Sequence, residues 1–88
     1  MKDVIIYTVD YCPFCKKAEM LLKNKNIPFK RIDISNNENE YREKLGKYYD
    51  IKGRVTVPQI IIGGKRIGGF DVLEKLDNSG QLETLLDD

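Results

Sequence analysis

The sequence predicts an α/β fold, a four-stranded mixed sheet flanked by helices, and three observations lead there. Residues 4–8 form a short β-branched run, and the chain then switches to helical spacing. A second alternating stretch at residues 29–34 completes a strand, helix, strand opening, which implies a right-handed crossover between parallel neighbours. Residues 59–62 and 65–67 flank Gly63-Gly64, the composition of a tight hairpin.

Val4, Ile5, Ile6 and Tyr7 are nearly continuous apolar residues, so the first strand is expected to be central and covered on both faces. Pro13 suits a first helical position because the missing N–H costs no bond there. Phe14, Ala18, Leu21 and Leu22 recur at helical spacing until Asn26-Ile27-Pro28, which places a helix at roughly residues 13–25. In the second strand Phe29, Arg31 and Asp33 alternate with Lys30, Ile32 and Ile34, a half-buried pattern. Ser35 with Glu38 has capping-box spacing, and Tyr41, Leu45, Tyr48 and Tyr49 follow as the apolar stripe of a second helix that Gly46 weakens. After the hairpin, Asp71 with Glu74 repeats the capping-box spacing before Val72, Leu73 and Leu76. Beyond Asn78-Ser79-Gly80, a last short helix carries Leu82, Leu85 and Leu86. The order is β-α-β-α-β-β-α-α.

With 88 residues, no repeat and no Ser/Gly/Pro-rich linker, the chain is expected to be a single domain over residues 1–88. The net charge of +1 gives no concentrated positive face, which argues against nucleic acid and anionic membranes as partners. The apolar run at residues 4–7 is too short for an export signal or a membrane span, so the expected compartment is the reducing cytoplasm.

The chain contains only two cysteines, Cys12 and Cys15, and no histidine. A structural disulfide between them would close so small a loop that the chain-entropy model assigns it only about 2 kcal/mol, and a reducing compartment withholds even that. A self-contained tetrahedral zinc site lacks two ligands, although a cluster shared between two chains stays open. Redox catalysis has local support. If the helix starts at Pro13, Cys12 sits at its N-terminal edge, where unpaired amides and the helix dipole stabilise a thiolate. Such positions lower a cysteine pKa from about 8.5 to between roughly 3.5 and 7.5. Lys16 can add positive charge. Cys15, one turn further in, is expected to be more buried, so Cys12 attacks and Cys15 resolves.

Three separated pieces, Cys12-Pro13-Phe14-Cys15, Thr56-Val57-Pro58 and Gly68-Gly69-Phe70-Asp71, agree in order and spacing with one family: over essentially its whole length the chain resembles glutaredoxin, of the dithiol class. The resemblance implies a thioredoxin-like fold and glutathione-dependent reduction of disulfides and protein–glutathione mixed disulfides. It implies a cis bond before Pro58, which on residue preference alone would be trans. It also implies that the Val57 N–H and C=O pair with the cysteine backbone of glutathione like an added strand. Gly68, Gly69, Phe70 and Asp71 correspond to the element that receives the γ-glutamyl end, although Asp71 is also a good helix cap. Arg54 falls where a side chain reaches the glycine carboxylate of glutathione, and Thr56 belongs to the same binding set. Phe14 supplies an aromatic wall where tyrosine is common, and Tyr11 edges the groove.

Two departures from the family pattern stand out. Val9 replaces a lysine three residues before the first cysteine, so Lys16, Lys17 or Arg54 has to substitute or binding weakens. The region 41–53 is a few residues longer than in short bacterial members, with 47–50 as the surplus. The implied partners are glutathione, as co-substrate with no tightly bound cofactor or metal, and disulfide-containing or glutathionylated proteins, met by a monomer. Two alternatives are kept: an electron donor recharged by thioredoxin reductase, and a dimer carrying a glutathione-ligated [2Fe-2S] cluster, which the stiff Pro13 loop disfavours.

Overall fold

The computed structural model describes residues 1–87. Its elements are β1 (Val4–Thr8), α1 (Pro13–Asn24), β2 (Lys30–Asp33), α2 (Glu38–Tyr48), β3 (Gln59–Ile62), β4 (Lys65–Gly68), α3 (Phe70–Ser79) and α4 (Gln81–Leu86), with a 3-10 turn, Ser35–Asn37, ahead of α2. The strands lie in the order β2-β1-β3-β4. β1 runs parallel to β2 and antiparallel to β3, with Ile6 opposite Ile60, and β3 runs antiparallel to β4. The mixed sheet and its central β1 follow the expectation. The β3–β4 ladder is irregular beside Ile60 and Ile61, where Ile60 faces Gly68 and Ile61 faces Arg66.

Alternation along β1 sends Val4 and Ile6 into the main core with Ala18 and Leu22 of α1, Ile60 and Ile62 of β3, Leu73 of α3 and Leu82 and Leu86 of α4. Burying each large aliphatic side chain there contributes about 1.5–3 kcal/mol. On the opposite face Tyr7 meets Tyr41 of α2, with ring centroids 6.4 Å apart. Lys25, after α1, pairs with Asp77 at 2.5 Å and Glu83 at 3.0 Å and ties α1 to α3 and α4. Among the described residues, no helix is long and apolar enough to cross a membrane.

Four local expectations are corrected. Ser35 does not cap α2: its amide and hydroxyl both donate to Asp33 Oδ1, at 2.8 and 2.5 Å, and its oxygen accepts the Asp10 amide at 3.0 Å. A side chain so engaged closes a turn instead, and α2 begins only at Glu38. Asp71 does not cap α3 either; Gly69 is the cap residue and Asp71 lies in the first turn. Tyr48 leaves the expected stripe. At the end of α2 it is 76% exposed and packs on Tyr49 at 4.6 Å. The second strand is shorter than its alternation implied and lies at the sheet edge, with Lys30, Arg31 and Asp33 exposed.

Candidate active site

The chain leaves β1 at the centre of the sheet, and its next buried residues are Val9 and Cys12. Cys12 is extended (φ -99°, ψ 113°) and caps α1, with Pro13 following as the first helical residue. Its Sγ accepts the Cys15 amide hydrogen at 3.2 Å, one of the amides that a helix start leaves unpaired. The Cys12 thiol also lies 3.7 Å from the Val57 carbonyl, to which it donates. The expected cap geometry is present, and the sulfur sits between a donor and an acceptor.

Cys15 differs although it is one turn away. It is 0% exposed against 8% for Cys12. Burial pushes its thiol from 9.0 up to about 11; the hydrogen bond with Cys12 adds to this, while bonds with the Thr8 hydroxyl and the Val9 backbone pull the other way. Both cysteines are free thiols, packed in one cluster with Val9 and Ile34 and flanked by Tyr7, Tyr41 and Val57. Val9, where the family pattern has lysine, is 1% exposed and serves as apolar packing behind the sulfurs.

The peptide bond Val57-Pro58 is cis. Behind it, the buried Gln59 donates from Nε2 to the Thr56 carbonyl at 2.8 Å and is reached by Arg66 at 3.4 Å. A groove of about 580 Å³ opens from this turn. Thr56, Val57 and Pro58 form one side, Gly69, Phe70 and Asp71 another, and Phe14 and Lys17 of α1 with Glu74 of α3 complete it. Phe14 is 56% exposed and its ring lies 6.3 Å from that of Phe70, with Lys17 Nζ 5.2 Å from the Phe14 centroid. Gly68, at φ +126°, turns the chain into this rim. A hollow of similar size between Met1–Ile5 and Pro28–Lys30 lies at the opposite ends of β1 and β2, away from both sulfurs. Among the described residues, no group of three or more His, Cys, Asp or Glu side chains is arranged to hold a metal ion.

Tyr11 and Arg54 do not line the groove. The Tyr11 hydroxyl donates to Glu38 Oε1, which also accepts Arg42 at 3.0 Å. These two donors, Tyr11 first, hold the Glu38 carboxyl below its ordinary value, with a smaller contribution from the charge of the exposed Arg54. The second Arg42 nitrogen donates to the Val55 carbonyl at 2.6 Å. Of the substitutes considered for the absent lysine, Lys17 lines the groove, whereas Lys16 is exposed outside it. Sequence reasoning missed Glu38, Arg42, Gln59 and Glu74 as parts of this region. Only Glu38 and Arg42, four residues apart on one helix, carried a local signal.

The cleft can bring an extended ligand against a sulfur, between a backbone rail at Val57 and a helix start at Gly69. The glutaredoxin family model matches residues 4–67. Glutaredoxin 3 of Escherichia coli (strain K12) is 41% identical over 86 residues, which cover 98% of this chain and 99% of that protein. The solution structure of glutaredoxin from Brucella melitensis superposes with a TM-score of 0.80 at 40% identity, covering 98% of this chain and 89% of that one. The buckwheat glutaredoxin–glutathione complex shares the fold with a TM-score of 0.84 at 23% identity, covering 97% and 76%. A dithiol at a helix start, the family model over residues 4–67 and 41% identity along nearly the whole Escherichia coli protein place the chain in the glutaredoxin family, with a thioredoxin-like fold and the thiol–disulfide oxidoreductase chemistry that goes with it.

Proposed function

We propose that the protein reduces disulfides and protein–glutathione mixed disulfides at the expense of glutathione, as one catalytic unit in a reducing compartment, the bacterial cytoplasm. The observation that carries this reading is the position of Cys12 Sγ, 3.2 Å from the Cys15 amide and 3.7 Å from the Val57 carbonyl, beside the groove that ends at Asp71. A sulfur that receives an amide hydrogen is suited to react as a thiolate. It attacks one sulfur of the substrate disulfide; a new S–S bond forms as the old one breaks, and the electron pair leaves on the departing thiolate. Cys15 then gives up its proton, attacks Cys12 and closes the internal disulfide while the second thiol departs. Two glutathione thiols restore the dithiol and leave as glutathione disulfide. With a glutathionylated substrate the first attack leaves glutathione on Cys12, and a second glutathione removes it without Cys15.

In this reading the backbone of Val57 pairs with the cysteine unit of glutathione, with Thr56 and Pro58 shaping that edge. Gly69, Phe70 and Asp71 receive the γ-glutamyl end, and Phe14 forms the apolar wall. Lys17 supplies positive charge inside the groove, and Arg54 and Tyr11 flank it, with the guanidinium free to meet the glycine carboxylate. The buckwheat protein, a fold neighbour, is described in complex with glutathione, which supports the choice of co-substrate. The test is NADPH consumption coupled through glutathione reductase, run beside the same assay with thioredoxin reductase. Activity in the first is expected, with Cys12→Ser abolishing it and Cys15→Ser retaining deglutathionylation. Activity only with thioredoxin reductase would replace the reading by that of a directly recharged electron donor.

A further inference from the structure

Helix α2 ties together the two chain segments that flank the reactive sulfur. On one side, Tyr11 immediately precedes Cys12 and its hydroxyl donates to Glu38 Oε1. On the other, residues 55–57 lead without regular secondary structure to the carbonyl that lies 3.7 Å from Cys12 Sγ. Arg42 stands between them. One guanidinium nitrogen donates to the Val55 carbonyl at 2.6 Å and the other to Glu38 at 3.0 Å, and the side chain is only 14% exposed. Neither Glu38 nor Arg42 lines the groove or touches a sulfur.

A planar guanidinium fixes two acceptors in one geometry, which an ammonium on a flexible stem cannot do. Hydrogen bonds from an ionised donor are also about twice as strong as neutral ones. The same helix grips Val55 a second time through its side chain. A Cβ at Gly46 would lie 3.3 Å from Val55 Cγ2, so the close approach uses the one residue of α2 that is poorest for a helix. Val55, two residues before the carbonyl that faces Cys12, is thus held by its own carbonyl and by packing.

We infer that Arg42, anchored by Glu38, is a positioning residue that holds the Val57 rail at its distance from Cys12 and thereby sets how tightly an extended disulfide substrate is bound. The inference rests on the proposed pairing of Val57 with glutathione. Because Arg42 acts on the rail and not on the sulfur, its loss falls on substrate binding more than on the chemical step.

Arg42→Met, Arg42→Lys and Glu38→Gln are compared with the unmodified protein in two measurements: kinetics with a peptide–glutathione mixed disulfide, and the amide resonance of Val57 in the free protein. Arg42→Met is expected to raise KM about tenfold while kcat changes less than about twofold. Arg42→Lys, which keeps the charge but not the fork, recovers part of the loss. Glu38→Gln gives a smaller rise, and the Val57 resonance moves in the same order. An Arg42→Met protein with normal KM and an unmoved Val57 resonance would overturn the inference, including one whose melting temperature alone has dropped. If Arg42→Met does not fold, Glu38→Gln decides by the same two readouts. If the unmodified protein does not turn over the mixed disulfide, the proposed function fails, and the Val57 resonance, which needs no substrate, still decides for or against Arg42.

Discussion

Cys12 and Cys15 face each other across one helical turn in unequal surroundings: the amide of Cys15 points to the sulfur of Cys12 at 3.2 Å, while the sulfur of Cys15 is sealed from solvent. Burial moves the Cys15 thiol from 9.0 to about 11. Its folded pKa lies above the unfolded one, so the stability it contributes is complete below pH 9 and is lost as the pH rises from 9 to 11. The loss is on the order of 2–3 kcal/mol and is read from urea denaturation midpoints across that range, with Cys15→Ala flattening the dependence. At pH 8, iodoacetamide followed by mass spectrometry is expected to label Cys12 well before Cys15.

Asp71 is exposed and makes no capping bond to α3. Asp71→Asn is therefore expected to leave the urea midpoint nearly unchanged, since an exposed acid in a first turn is worth only about 0.3–1 kcal/mol. In the glutathione-coupled assay it raises KM about tenfold, because Asn keeps an acceptor oxygen but loses the charge that strengthens a bond to an ammonium group. A large stability loss at normal KM would make Asp71 a helix-start residue and nothing more.

Gly68 and Gly64 both have positive φ, +126° and +82°, but only Gly68 is crowded, with an added Cβ at 3.3 Å from Val72 Cγ2. Gly64→Ala costs about 1–2 kcal/mol from backbone conformation alone. Gly68→Ala adds a tight contact with Val72 to strain of about 1–3 kcal/mol at the rim that leads to Asp71, so it lowers both denaturation midpoint and activity. Urea titration of the two variants side by side checks the ranking.

Leu73 is fully buried between α3 and the sheet. Leu73→Ala is expected to destabilise the fold by about 2–5 kcal/mol. Met20, 61% exposed on α1, is the control: Met20→Ala stays within about 0.5 kcal/mol in the same experiment.

The parts of the molecule governed by local rules were legible in the chain. The β-branched run at Val4–Thr8, the Pro13 start, the Gly63-Gly64 turn and the placement of Cys12 at a helix edge all depend on a few adjacent residues. The groove was legible as three motifs with family spacing, and the cis bond before Pro58 only through that resemblance. What escaped depends on which of several available partners a side chain takes, and that is not written in periodicity. Ser35 matched a cap pattern, but Asp33 and Asp10 claimed it first. Tyr48 matched an apolar stripe, yet α2 ends there and the ring finds Tyr49 instead of the core. The link from Arg42 to Val55 spans thirteen residues and leaves no periodic trace.

The outer strands of the sheet bear on edge-to-edge pairing with another extended chain. β2 and β4 are each four residues long and expose Lys30 and Arg31 on one rim and Lys65 and Arg66 on the other. Short margins that carry lysine and arginine are poor templates for a foreign strand. Such margins disfavour the addition of an extended chain along the periphery of the sheet.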